Sequence, residues 1–317
     1  MFTPRDQSIF ITSIVPSKRY ILVACIAVLT LFSLQNFKTV RREISTDVFR
    51  DRYGQYAVVA GASEGLGEEW ALALSRKGMS LILIARREDK LLKVKERVLA
   101  ESDSDGAIDV KLLVQDLSDP ALEEKFRDFA SNLRIGFLVY NAAYVPKGLF
   151  TNIESARAYK SIDVNLRGLH ALTMVTSQQM IRENRSGGIV IMSSMSGIVG
   201  TGRFASYSAS KSYQIAFAHA LWYEFQAKNV DVLACVAGPT RTPNYLGVVH
   251  ETTRKRWIEQ DPSDVVDECL SAVGEMPSVA TGVLNKISRV LMARILPTKL
   301  AVALMGDETY SQISFLD

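Results

Sequence analysis

The chain is poor in the residues that build metal and disulfide centres: its 317 residues include three cysteines and three histidines. Cys25, Cys235 and Cys269 lie far apart and form no C-x-x-C pair, which argues against a disulfide framework or a zinc site. His170, His219 and His250 show no metal-ligand spacing, so no metal is expected and all six residues read as core or surface filling. Net charge is scarce too. Thirty-seven Lys and Arg against 34 Asp and Glu leave +3, too little to point to nucleic acid as a partner. Internal repeats and low-complexity tracts are missing. At 48% hydrophobic and 22% charged, the composition suits a globular chain rather than a disordered or multi-span one. The length allows one large α/β domain or two small ones.

One long apolar run stands out. Tyr20 to Phe37, "YILVACIAVLTLFSLQNF", carries no charge, with Lys18 and Arg19 before it and Lys38, Arg41 and Arg42 after it. Eighteen such residues rise about 27 Å as a helix, just enough for a hydrocarbon core of roughly 30 Å. A cleaved signal peptide is disfavoured because no small-x-small pattern follows. The run is read as an uncleaved transmembrane anchor, 20–37, after an N-terminal tail, 1–19; a monotopic insertion is the remaining alternative. The slight basic excess after the run favours a cytosolic main domain on a single-pass membrane protein. In a eukaryotic source the expected membrane is the endoplasmic reticulum.

Residues 38–54 are charged and mixed and read as a connector. From 55 onward apolar strand-like runs alternate with helical patterns: "YAVVA", "MSLILIA", "VKLLVQ", "IGFLVY", "GGIVIMSS" and "VDVLACVA". Near-continuous apolar strands separated by helices imply a parallel sheet covered on both faces, a doubly wound α/β (Rossmann) fold over 55–282. The tail, 283–317, mixes Lys286, Arg289, Arg294 and Lys299 with apolar residues at helical spacing. It would rest on a membrane surface, on its own domain, or on a second copy in a homodimer.

Three places carry chemistry. The first turn, Gly61-Ala62-Ser63-Glu64-Gly65-Leu66-Gly67, leaves a strand and opens a helix, so its backbone can approach a pyrophosphate at the helix N-terminus. The second strand ends Ala85-Arg86-Arg87, where an NAD site would place a carboxylate; guanidiniums there suit a 2′-phosphate and point to NADP(H), with Glu64 working modestly against that preference. Finally, "FASYSASK" sets Tyr207 and Lys211 at i and i+4 on one helix face. A neighbouring ammonium favours the phenolate, which would bring the phenol toward proton transfer near neutrality.

With these motifs in order over roughly Gln55 to Pro243, the chain resembles the short-chain dehydrogenase/reductase family. The glycine turn is similar to its T-G-x-x-x-G-x-G, with Ala60 in place of threonine. "VQDLSD" matches the segment whose aspartate, here Asp116, contacts adenine. "YNAAY" stands for N-N-A-G, matching at Asn141 and Ala142 and departing at Tyr140 and Ala143. The resemblance implies a catalytic set of Asn165 from "IDVNLRG", Ser194 from "IVIMSSMSG", Tyr207 and Lys211. The family serine precedes its tyrosine by thirteen residues, which selects Ser194 over Ser193. "GPTRTP" resembles the P-G-x-x-x-T segment, shifted, and implies nicotinamide contacts from Pro239, Thr240 and Thr242. Gly61, Ser63, Gly65, Leu66, Gly67, Arg86, Arg87, Tyr207 and Lys211 complete the implied cofactor set. Tyr207 would donate the proton, Ser194 hold the substrate oxygen, Lys211 lower the tyrosine pKa and hold the ribose, and Asn165 order a relay water.

Within the family, "AVVAGASEGLGEEWALALSRKGMSLILIARREDKL" is similar to membrane-bound 3-oxoacyl-CoA reductases and 17β-hydroxysteroid dehydrogenases. "LVYNAAY" and "LPTKLAVALMG" resemble an uncharacterised, bacterial-type branch. The apolar Tyr245, Leu246, Val248, Val249 and Trp257 after Thr242 suit a lipophilic carbonyl substrate, and His250 there reads as a surface residue. Expected alternatives are an NADP-dependent alcohol dehydrogenase for a sterol or retinoid, and a non-catalytic NADP-binding scaffold.

Overall fold

The computed structural model describes residues 46–101, 108–247, 249, 251, 254 and 256–313. The expected anchor, Tyr20–Phe37, lies outside them. Among the described residues no helix is long and apolar enough to cross a membrane, and no group of three His, Cys, Asp or Glu could hold a metal.

Seven parallel strands run in the order β3-β2-β1-β4-β5-β6-β7. They are β1 (Tyr56–Ala60), β2 (Ser80–Ala85), β3 (Val110–Val114), β4 (Ile135–Tyr140), β5 (Gly187–Ser194), β6 (Val230–Ala237) and β7 (Ser278–Ala280). Their unbroken apolar runs follow from burial on both faces, since successive side chains alternate sides. Ala57, Val59, Leu81 and Leu83 enter one core, while Val58, Ala60, Ile82 and Ile84 enter the other. The first core is closed by α1 (Thr46–Tyr53), α2 (Leu66–Arg76), α3 (Glu88–Glu101) and, C-terminally, Pro262–Ala272. The second is closed by α4 (Leu122–Ala130), Gly168–Arg182 and the long Ala205–Phe225. In chain order, α5 is Ser155–Ile162, α6 Gly168–Arg182, α7 Ala205–Phe225, α8 Pro262–Ala272, α9 Val283–Val290 and α10 Thr298–Ile313.

Three features differ from the sequence reading. Residues 46–53, expected within a connector, form α1, whose Phe49 and Tyr53 are buried among core rings. A seventh strand, β7, adds to the edge through β6. Cys235 of β6 and Cys269 of α8, 34 residues apart, are joined in a disulfide with Cα atoms 5.8 Å apart. Sequence spacing gave no sign of the pair because only the packing of α8 on the sheet brings the two together. The tail helix α9 is tied to the body by Arg289 on Ser278 Oγ (2.8 Å), by Lys286 on Glu268, and by the buried Asn285.

Candidate active site

The strand order reverses between β1 and β4, and a doubly wound sheet binds ligands at the carboxyl ends of its strands beside such a reversal. The glycine turn sits there. Gly61 has φ +82°, and a Cβ would lie 2.7 Å from Ala142 Cα; at Gly67 a Cβ would overlap the Gly61 carbonyl oxygen. Asn141 Nδ2 donates to that same oxygen at 3.1 Å, so the β4 end clamps the turn. Gly65, at φ +61°, faces Thr242, whose Cβ would be 3.0 Å from an added Cβ. The N-cap Gly65 brings no side chain to the start of α2, so no capping side chain takes the helix's first amide donors. These features fit the diphosphate of a dinucleotide. Leu66 packs on the first core and so fixes the helix start. Thr240 is buried with its hydroxyl on Gly238 O (2.9 Å), and Thr242 Oγ1 accepts from Tyr245 N (3.3 Å) just beyond Pro239.

The turn after β2, where the adenosine is expected, is basic but not free of acid. Arg87 donates to Ser63 Oγ (3.0 Å) and Glu64 Oε1 (2.7 Å), and Lys90 pairs with the other Glu64 oxygen. Burial would raise the Glu64 carboxyl, but these two cations outweigh it and hold the group below its ordinary range. Arg86 is exposed, with its guanidinium 3.9 Å from Asp116. Asp116 accepts from Ser118 N (2.9 Å) and Ser118 Oγ (2.8 Å) and pairs with Lys160 (3.2 Å). Burial opposes ionisation there as well, and these partners again win, leaving the carboxyl below its usual value.

The expected catalytic residues converge from three elements. Ser194 ends β5 and its hydroxyl accepts from Ser196 N (3.2 Å) while bonding Tyr207, which lies in the first turn of α7. Lys211 is 3% exposed; its Nζ donates to Met192 O (2.6 Å) and Gln214 Oε1 (2.9 Å) and lies 5.5 Å from the Tyr207 ring centre. Asn165 sits in a π turn, Asp163–Arg167, between α5 and α6. Its Oδ1 accepts from Tyr144 N (2.7 Å), and its Nδ2 is 3.0 Å from Tyr144 O, Ser161 Oγ and Ser210 Oγ. The side chain of Asn165 is thus fully engaged away from Lys211.

Electrostatics depart from the simple picture of a cation lowering a phenol. Burial raises the Tyr207 phenol, with the Ser194 bond pulling the other way, and burial pushes the Lys211 ammonium down to about 7. Both groups are driven toward neutrality because each would carry its charge out of water.

A family model for short chain dehydrogenases matches residues 55–251. The chain belongs to that family. Among curated relatives, a 7beta-hydroxysteroid dehydrogenase of Clostridium sardiniense is 28% identical over 238 residues, covering 75% of this chain and 89% of that protein. The human inactive hydroxysteroid dehydrogenase-like protein 1 is 28% identical over 255 residues, covering 78% and 73%. A very-long-chain 3-oxoacyl-CoA reductase of Kluyveromyces lactis is 32% identical over 190 residues, covering 56% and 53%. A solved structure reported for 7beta-hydroxysteroid dehydrogenase stereoselectivity superposes with TM-score 0.75 at 24% identity, over 81% of this chain and 98% of that one, which shows the shared fold.

Several residues around this short chain dehydrogenase site escaped the sequence reading. Lys90 neutralises Glu64, and its place four residues after Arg86 on the following helix was the available signal. Lys160 and Gln214 gave none. Tyr140, which departs from the family pattern, is fully buried and its hydroxyl bonds the Val164 carbonyl beside the π turn. The segment after Thr242 is held by buried Glu259, which takes Arg254 (2.8 and 2.6 Å) and Tyr245 Oη (3.2 Å), while Leu246 and Trp257 stay exposed. Val248 and His250 lie outside the described residues.

Proposed function

We propose that the chain is an NADP(H)-dependent oxidoreductase that reduces the keto group of a lipophilic substrate, such as a 3-oxoacyl-CoA or a keto-steroid. The observation that carries this reading is the junction of Ser194, Tyr207 and Lys211 at the carboxyl end of β5, on the same edge of the parallel sheet as the glycine turn that follows β1. When bound, the nicotinamide supplies the hydride that goes to the carbonyl carbon. Ser194 holds the carbonyl oxygen, and Tyr207 gives that oxygen its proton as the alcohol forms. Lys211 orients the ribose and, while charged, makes the phenol a better acid. Arg86, Arg87 and Lys90 favour a 2′-phosphate. The exposed Leu246 and Trp257 suit an apolar substrate.

The test is NADPH consumption by the detergent-solubilised full-length protein against 3-oxoacyl-CoA, keto-steroid and retinal panels. Oxidation of NADPH by one class supports the reading. Tight NADPH binding with no turnover would favour the scaffold reading, which the human relative named inactive keeps in view. Faster turnover of a sterol or retinol with NADP+ would favour the dehydrogenase direction. We further infer that residues 20–37 anchor the catalytic unit, 55–282, to a membrane. Recovery of the full-length chain in the supernatant of a carbonate wash would refute that.

A further inference from the structure

On α7, Gln214 lies three positions after Lys211 and is completely buried. Both ends of its amide are used. Oε1 accepts from Lys211 Nζ at 2.9 Å, and Nε2 donates to the Asn165 carbonyl at 2.9 Å. The donors and acceptors fix the amide orientation, since an ammonium can only donate and a carbonyl can only accept. The Asn165 side chain is spent on Tyr144, Ser161 and Ser210, so the bonded path from Asn165 to Lys211 runs from its main-chain carbonyl through the Gln214 amide.

Lys211 needs such a partner. Its ammonium is buried, and among the described residues no carboxylate pairs with it. The groups facing it are the Met192 carbonyl from β5, the Gln214 amide, and the Tyr207 ring, Tyr207 being the titratable one. An ammonium held only by neutral acceptors depends on each of them.

We propose that Gln214 is the positioning residue of Lys211: it joins Lys211 to the Asn165 carbonyl by a side chain and holds the ammonium in place and charged. The functional weight of this link rests on the role given to Lys211 above. A merely structural glutamine would fill the same space and leave the titration of Lys211 alone.

The experiment is a pH titration of the Lys211 Cε resonance in full-length protein labelled with 13C-lysine, assigned by its loss in Lys211→Met. Gln214→Met keeps the volume and removes the acceptor, so the midpoint should fall by about one unit or more. Gln214→Glu keeps an acceptor oxygen and adds charge, so the midpoint should rise. In Gln214→Met the loss of NADPH affinity, read by fluorescence, should be larger at pH 8 than at pH 6. Midpoints of wild type and Gln214→Met agreeing to within about 0.3 of a unit would overturn the proposal. If Gln214→Met shows no cooperative melt, an unmoved midpoint in Gln214→Glu overturns it instead. Unchanged NADPH affinity in Lys211→Met, beside a shifted Gln214→Met midpoint, would refute the cofactor role of Lys211 while supporting the link.

Discussion

Tyr207→Phe separates chemistry from packing at the centre of the proposed mechanism. The substitution keeps the ring, which meets Phe204 edge-on at 6.1 Å between centroids and lies 5.5 Å from Lys211 Nζ. It removes one hydroxyl and the hydrogen bond to Ser194. A hydrogen bond of this kind contributes about 1 kcal/mol, which in a domain this size lowers the melting temperature by about 2–4 °C. A lost general acid slows reduction by about a hundred- to ten-thousand-fold, which is roughly 2.7–5.5 kcal/mol at the barrier. The second figure exceeds the first, so slowed turnover cannot be put down to unfolding. The assay combines NADPH oxidation with a confirmed substrate, NADPH titration by fluorescence, and a thermal melt of the same preparation. The expected result is near-native melting, retained NADPH binding and turnover lost by at least two orders of magnitude. Near-normal turnover by a folded variant would refute the assignment of Tyr207 as the acid.

Other outcomes follow from the same geometry. NADPH should bind more tightly than NADH; Arg86→Asp should erase that preference, and Glu64→Gln, by releasing Arg87 and Lys90, should increase it by about two- to five-fold. Equal affinities of the unaltered protein for the two cofactors, measured by fluorescence titration, would count against both. Alkylation under denaturing conditions without reductant should modify Cys25 and spare Cys235 and Cys269; mass spectrometry showing three alkylated cysteines in freshly purified protein would mean the pair is not bridged in the cell, and a retained bridge would favour an oxidising compartment over the cytosol for this domain. The Lys211 pKa, lowered to about 7 from 10.5, means that the unfolded chain binds the proton and the folded one does not between those limits, so this residue's contribution to stability rises with pH across that window. Melting of Lys211→Met relative to wild type should therefore lose ground as pH increases from 7 to 10, and a pH-independent difference would contradict it.

Six strands of the sheet were legible because burial on both faces demands unbroken apolar runs, and those runs were long. β7 was not, because Ser278, Val279 and Ala280 form a strand through register with Ala234, Cys235 and Val236 and not through their own pattern. Helix α1 escaped for a related reason: Phe49 and Tyr53 reach the core, but the charged residues around them in sequence mimic a connector. Close approach also hides. Gly136 leaves no room for a Cβ beside the Tyr53 carbonyl, a constraint visible only once α1 is docked on β4.

At the site, the glycine turn, the arginine pair and the Tyr207–Lys211 spacing were readable because each is a local pattern with a local physical cause. Some partners, such as Asn141 on the Gly61 carbonyl, are distant in sequence, and a near but neutral one such as Gln214 leaves no mark of charge. Spacing also conveys proximity without dielectric. The i, i+4 rule correctly placed Lys211 beside Tyr207, yet it was silent on burial, which lowers the lysine and raises the phenol. An ammonium can acidify a phenol only while it carries its proton, so within this fold the proposed chemistry depends on whatever keeps Lys211 charged at working pH. Met192 O and Gln214 Oε1 are its two acceptors, and one of them is a side chain that substitution can remove.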